Sequence, residues 1–292
     1  MAIGFERIVI VPLENATRDD VVQNPYMNSL RRKGVFLKSS YGVTHSSQPN
    51  YIAMIGGDTL GILDDTPGWV QWIYEGSPPP VTSIVDLLEA QDYTWKAYAE
   101  DLLPSDVITD PSKNPHPPAG HGCFARKHVP FLSFPNIVTV PSRAANIVNA
   151  QSQFEADLAS GSLPNYCFYT PNLLHDGHSL NCDGNSRINP LDNRGQNIAN
   201  IAEFLRGFLS DDPIAKFPPE TLIVITFDEA YPYSDGYNIY TLLIGDTLPA
   251  GTTRYEPYNH YSLLHSVELN FGVGTLDRND SCAAPYWFLA IK

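Results

Sequence analysis

Thr221-Leu222-Ile223-Val224-Ile225-Thr226-Phe227, followed at once by Asp228-Glu229, is the stretch that decides how this chain folds. The run carries no charge and is rich in β-branched residues. A strand with one wet face would alternate apolar and polar side chains, so this one reads as buried on both faces, as in a parallel sheet covered by helices. Ile8-Val9-Ile10-Val11 repeats the pattern near the N-terminus and leads into Glu14-Asn15. Further strand candidates are Val35–Val43, Tyr93–Ala99, Ile137–Val140, Asn165–Thr170 and Tyr237–Ile244. Between and after them, apolar residues at helical spacing mark Asp20–Lys33, Gln48–Ile55, Val81–Gln91, Gln151–Ala159, Gln196–Leu209 and Tyr261–Phe271. Strands alternating with helices predict an α/β fold with a central, mainly parallel sheet. No repeat or linker divides the chain, so residues 1–292 read as a single domain.

Composition narrows the function. Apolar residues make up 43% of the 292, ample for a large core, and the 25 prolines and 20 glycines sit among plentiful aromatics, which indicates ordered loops. The formal charge of −14 argues against nucleic acid or an anionic membrane as the main partner. No stretch is apolar and long enough to span a bilayer. Phe5–Leu13 is too short and too charged for a signal peptide. A cytoplasmic location follows if Met1 is the native start, and secretion if a leader has been removed. None of the four cysteines forms a C-x-x-C pair. Cys167 reads as a buried thiol, while Cys123, Cys182 and Cys282 lie in loops and can form one disulfide. His116, His121, Cys123 and His128 cluster between proline-rich loops at a spacing that fits no zinc pattern.

The functional groups fall just beyond strands, where open α/β sheets collect their sites. Glu14-Asn15 and Asp228-Glu229 each follow a buried strand. Either pair alone reads as a turn cap with solvated acids. Together they offer the carboxylate and amide oxygens that hard divalent cations require. Asn15-Ala16-Thr17 also fits a glycosylation sequon, and a ligand role for Asn15 predicts that it carries no sugar. Ser46-Ser47-Gln48-Pro49-Asn50 opens a helix, whose N-terminal dipole and N–H groups favour an alkoxide and a bound phosphate. An ordinary N-cap serine is the commoner meaning of that pattern, and position alone does not separate Ser46 from Ser47. Thr170-Pro171-Asn172 and His175-Asp176-Gly177-His178 supply accessible polar groups, and His260 lies in Tyr258-Asn259-His260-Tyr261-Ser262. Two aromatic loops, Gly68–Tyr74 and Tyr231–Tyr240, are candidates to wall a pocket. Packing under long loops explains their aromatics equally well.

Taken in order, these pieces resemble the phosphoesterase family that contains the acid phosphatases and the non-specific phospholipases C, within the alkaline phosphatase superfamily. The matching segments are Glu14-Asn15, Ser47-Gln48-Pro49-Asn50-Tyr51, Thr170-Pro171-Asn172 with Asp176-Gly177-His178, Thr226-Phe227-Asp228-Glu229, and His260-Tyr261-Ser262-Leu263-Leu264. The resemblance implies a three-layer α/β/α sandwich of the alkaline-phosphatase type. It implies a divalent metal ion (Mg, Ca, Mn or Zn) on Glu14, Asn15, Asp228 and Glu229. The family's nucleophile stands two residues before Pro-Asn, which selects Ser47. Asn50 would contact the phosphate and Asp176 the phosphate or a second metal; Asn172 and His175, in the same segment as Asp176, are further candidates for phosphate contacts. His178 and His260 would serve as acid to the leaving alcohol or as further phosphate or metal contacts. Phospholipase C members carry arginine after Pro-Asn and are much longer. Tyr51 and the compact chain favour a phosphatase that hydrolyses small phosphate monoesters through a phosphoserine. A phosphodiesterase or phospholipase C using the same site, and a non-catalytic phosphate-binding protein, are the alternatives. A formylglycine sulfatase is excluded, because the nucleophile segment has no cysteine.

Overall fold

The computed structural model of the chain describes residues 4–71, 73, 80–110, 119–180, 182, 194–232 and 237–290. Its strands are β1 (Arg7–Leu13), β2 (Val35–Tyr41), β3 (Trp95–Ala99), β4 (Gly120–His121), β5 (Phe124–Ala125), β6 (Ile147–Asn149), β7 (Tyr166–Thr170), β8 (Thr221–Phe227), β9 (Asn238–Ile244), β10 (Thr252–Arg254) and β11 (Tyr258–Asn259). Nine of them form one sheet in the order β10-β2-β9-β8-β1-β7-β3-β6, with β11 also on β2; β4 and β5 form a separate hairpin. β1 lies parallel to both β7 and β8, in register from Arg7↔Thr221 to Leu13↔Phe227 on the β8 side. β9 runs antiparallel to both of its neighbours, so the sheet is mainly parallel.

The decisive run is β8, and all seven of its residues are buried. Successive side chains point to opposite faces. Leu222 and Val224 join Ile8 and Ile10 in one core, under the helices Ser47–Gly56, Ile84–Glu89 and His260–Phe271. Ile223, Ile225 and Phe227 join Val9, Val11 and Leu13 in the other, under Ala150–Ser160 and Arg194–Leu209. The result is an α/β/α sandwich.

Two sequence expectations change. Ile137–Val140 is no strand: Pro135–Val138 is a helical turn with Pro135 at its start, where proline's fixed φ suits a helix. Asp20–Lys33 is broken into Arg18–Val21 and Pro25–Leu30, since Pro25 cannot continue a helix and Asn24 caps the second piece instead. Among the described residues no helix is long and apolar enough to cross a membrane.

Candidate active site

β1 and β8 end side by side, so Glu14-Asn15 and Asp228-Glu229 leave the sheet together. The ladder continues one bond further, with Asp228 N–H donating to Leu13 O at 2.9 Å. Glu14, Asp228 and Glu229 are all buried. Asn15 takes a left-handed φ of 40°, which turns the chain so that its N–H donates to Asp228 Oδ1 at 3.3 Å. The Asn15 amide points at two carboxylate oxygens, lying 3.1 Å from Glu14 Oε2 and 3.3 Å from Asp228 Oδ1. With its nitrogen inward it donates to both. With its oxygen inward it adds to a set of converging oxygens of the kind that a bound cation satisfies.

Ser47 opens the helix Ser47–Gly56 from the opposite side, and its hydroxyl donates to Glu14 Oε2 at 2.9 Å. The preceding residue, Ser46, has φ 88° and ψ 140°, a strained conformation for an L side chain that costs on the order of 1–3 kcal/mol. Asn50 holds it. The Asn50 oxygen accepts from Val43 and Thr44 N–H, and its nitrogen donates to Thr44 O and Ser46 O at 3.0 and 2.9 Å. Asn50 is thus fully committed to the loop before Ser47, where the sequence suggested a phosphate contact. Gly42 is required nearby: a Cβ there would stand 2.9 Å from Asp228 O and 3.3 Å from Glu229 Cα.

Asp176 lies beneath these groups, fully buried. Its carbonyl accepts from Glu14 N–H at 2.9 Å, its Oδ1 from His178 N–H at 2.7 Å, and its Oδ2 faces His128 Nδ1 at 2.9 Å. The other His128 nitrogen lies 3.1 Å from Glu14 Oε1, and Tyr51 stacks on the ring with centroids 5.0 Å apart. The His178 ring lies in the same cluster, with its Nε2 3.4 Å from Lys127 Nζ. Lys127 in turn donates to Asp65 Oδ2 at 2.7 Å. On the far side His45 Nδ1 faces Glu229 Oε2 at 2.8 Å and stacks on Tyr237, so the second aromatic loop does border the site. Tyr233 of that loop, and Trp72 and Tyr74 of the first, lie outside the described residues.

Besides Asn50, three residues expected at the site have other partners. His260 directs Nε2 to the Asp228 carbonyl at 2.5 Å, where it orients the backbone of the acidic pair. Asn172 donates to Asp101 Oδ2 at 2.8 Å and accepts from Leu174 and His175 N–H. His175 faces Glu100 Oε2 at 2.6 Å and stacks on Phe204, lining a cavity of about 440 Å³ with Tyr169 and Phe208. Conversely, Lys127, His128, Asp65 and His45 were not singled out for the site from the sequence. His45 neighbours Ser46-Ser47, which is a usable signal; Lys127 and His128 come from the 3-10 turn Arg126–His128, and Asp65 from a loop. The cluster of His121, Cys123 and His128 disperses: His121 faces Asp106 at 2.9 Å, and Cys123 pairs with Cys182 across a Cα–Cα distance of 4.7 Å. His116 lies outside the described residues. The disulfide ties the β4–β5 hairpin to the chain just past His178. Cys167 is a buried free thiol, and Cys282 is exposed.

Burial sets the electrostatics. It pushes Asp228 up to about 6, and together with the Asp228 charge it pushes Glu229 up to about 9. Glu14 is raised by burial and then by Asp228, and Asp176 by burial. The same desolvation lowers His178 to about 4 and His260 to about 4, and holds His128 well below its usual range. A crowd of buried acids this reluctant to ionise is a site short of positive charge. Asp228 Oδ2 is buried with no hydrogen-bond partner, and with the Asn15 amide it fits the donor set of a hard divalent cation. Among the described residues, no group of three His, Cys, Asp or Glu side chains alone is arranged to hold a metal. The converging set here depends on amide and hydroxyl oxygens as well.

The phosphoesterase family model matches residues 12–274. The chain is 31% identical to a probable acid phosphatase of Kluyveromyces lactis over 96% of its own length and 61% of that protein. It thus spans less than two thirds of that relative. It is 30% identical to a phosphatidylinositol-3-phosphatase of Mycobacterium tuberculosis, over 92% of this chain and 78% of that one. The fold matches an alkaline phosphatase superfamily protein of Vibrio parahaemolyticus with a TM-score of 0.58 at 13% identity, covering 95% of this chain and 70% of that structure.

Proposed function

The chain belongs to the phosphoesterase family, and on that premise we propose that it hydrolyses phosphate monoesters with Ser47 as the nucleophile. The observation that carries this is the 2.9 Å hydrogen bond from Ser47 Oγ to Glu14 Oε2, made at a helix N-terminus beside Asp228 and Asn15. Glu14, Asn15, Asp228 and Glu229 are the residues that would hold a divalent metal ion. Such an ion would neutralise phosphate charge and favour the Ser47 alkoxide. Ser47 attacks phosphorus in line as its proton passes to Glu14 Oε2, the P–O bond to the alcohol breaks and the alcohol leaves with that proton delivered through water, and water then cleaves the phosphoserine to release phosphate. The Ser47 N–H, and the Gln48 N–H once it is released from Asp65, would receive phosphoryl oxygens; Pro49 has no N–H to offer. Asn50 and the Ser46 backbone fix where the hydroxyl points, and His260 and Asp176 fix Asp228 and Glu14. The acid-phosphatase relative supports a monoester as substrate, and the phosphatidylinositol-3-phosphatase relative supports the same chemistry on a phosphorylated alcohol.

The test is hydrolysis of a chromogenic phosphate monoester and its matching diester, with and without chelator, by wild type and Ser47→Ala. Expected is chelator-sensitive monoester turnover that Ser47→Ala lowers by at least about 10³-fold, with melting temperature and metal content retained. A diester preference replaces this reading with a phosphodiesterase, and substantial turnover by Ser47→Ala rules out this nucleophile.

A further inference from the structure

Glu14, Asp176, Asp228 and Glu229 crowd one end of the sheet, and a phosphate ester adds further negative charge. Lys127 brings a positive charge to this cluster. Burial works against its charge, but Glu14, Asp65 and Asp228 outweigh that and keep the ammonium protonated. Its Nζ lies 3.4 Å from His178 Nε2 and 2.7 Å from Asp65 Oδ2, with the side chain 17% exposed.

The Asp65 contact is informative because of what the other Asp65 oxygen does. Oδ1 accepts from Gln48 N–H at 3.0 Å. Gln48 follows Ser47 in the first turn of a ten-residue helix that receives no side-chain cap from Ser46. One carboxylate therefore spans an ammonium and a helix N-terminal N–H immediately beside the nucleophile. Those are two donors that a phosphoryl group on Ser47 would use. Asp65 sits on an accessible loop, with its side chain 42% exposed, that is pinned to the helix by Gln48 Nε2 donating to Thr66 O.

We propose that Lys127 is the phosphate-binding cation of this site, and that the Asp65 carboxylate holds its place until a substrate phosphate displaces it. The inference rests on the phosphoesterase reading above. A purely structural Asp65, capping the helix and steering Lys127, predicts the opposite sign on mutation. If Asp65 competes with phosphate, removing its charge tightens phosphate binding. If it only positions Lys127, removing its charge loosens it. Asp65→Asn separates the two, because the amide keeps an oxygen for Gln48 N–H and loses only the charge.

The experiment is calorimetric titration of inorganic phosphate into metal-loaded wild type, Lys127→Met, Lys127→Arg and Asp65→Asn, with phosphate inhibition of monoester turnover measured in parallel. Lys127→Met should weaken phosphate binding by about tenfold or more, as expected for a lost charge-assisted contact, and Lys127→Arg should recover most of it. Asp65→Asn should tighten binding by about threefold or more. Unchanged binding in Lys127→Met overturns the role of the lysine. Weakened binding in Asp65→Asn overturns the place-holder. Should Lys127→Met fail to fold, the sign of the Asp65→Asn effect still decides. A wild type that neither binds phosphate nor cleaves phosphate esters overturns the phosphoesterase reading and this inference with it. Wild-type binding with all variants unchanged overturns this inference alone.

Discussion

At the scale of single residues, the fold spends stability to place charge and strain where they are useful. Ser46 is held at a positive φ so that Ser47 can open its helix facing Glu14; Asn50 donates to Ser46 O and Thr44 O and accepts from Val43 and Thr44 N–H, which fixes the loop before Ser47. A second buried acid, Glu268, sits well away from the strand-end site. Burial and the neighbouring Asp280 carboxylate push it up to about 9. The unfolded chain releases this proton near an ordinary carboxylate pKa, while the folded one keeps it until about pH 9. Between those values folding takes up a proton, so stability falls as pH rises. Glu268→Gln removes this dependence. Its stability relative to wild type should increase by about 1–3 kcal/mol between pH 5 and pH 8, and denaturant melts at the two pH values check it. An equal difference at both would show that Glu268 is ionised in the fold. Reading such residues from sequence succeeds only where the chemistry is local. Glu14-Asn15, Ser47 and Asp228-Glu229 were legible because each adjoins a recognisable strand or helix end. Lys127, Asp65 and His128 were not, because their partners lie at sequence separations of 62, 51 and 48 residues.

At the scale of elements, β8 sets the frame. Its two side-chain rows feed both cores, and its end delivers Asp228-Glu229 beside Glu14-Asn15. Ile225 is wholly buried in the core under Arg194–Leu209. Ile225→Ala should destabilise the protein by about 2–5 kcal/mol, with Ser47 chemistry intact in whatever remains folded. A loss below about 1 kcal/mol would mean that the helix layer collapses onto the sheet without it. The strands were legible because a strand buried on both faces announces itself as an uninterrupted apolar run. The failures share a cause. Ile137–Val140 is also apolar and β-branched, but the preceding Pro135 starts a helical turn, and β6 at Ile147–Asn149 is only three residues long. Short elements carry too little periodicity to be told apart. Asn172 and His175 share the loop that carries Asp176 and His178, but that loop bends so that they face Asp101 and Glu100 while Asp176 and His178 face inward.

At the scale of the whole molecule, a net charge of −14 repels a phosphate dianion before any contact forms. Long-range repulsion is screened as the Debye length falls from about 30 Å at 0.01 M salt to about 8 Å at 0.15 M. Hence kcat/KM for a monoester should rise about two- to threefold over that range with kcat unchanged. A fall would mean that local positive charge dominates approach. The proposed turnover depends on one covalent step at one serine. Rapid acid quench of wild type mixed with a labelled phosphate monoester, followed by peptide mapping, tests it most directly. Label is expected on the peptide that carries Ser46 and Ser47, located at Ser47 and absent from Ser47→Ala. Turnover at full rate with no label on that peptide, or label on Ser46, would contradict it.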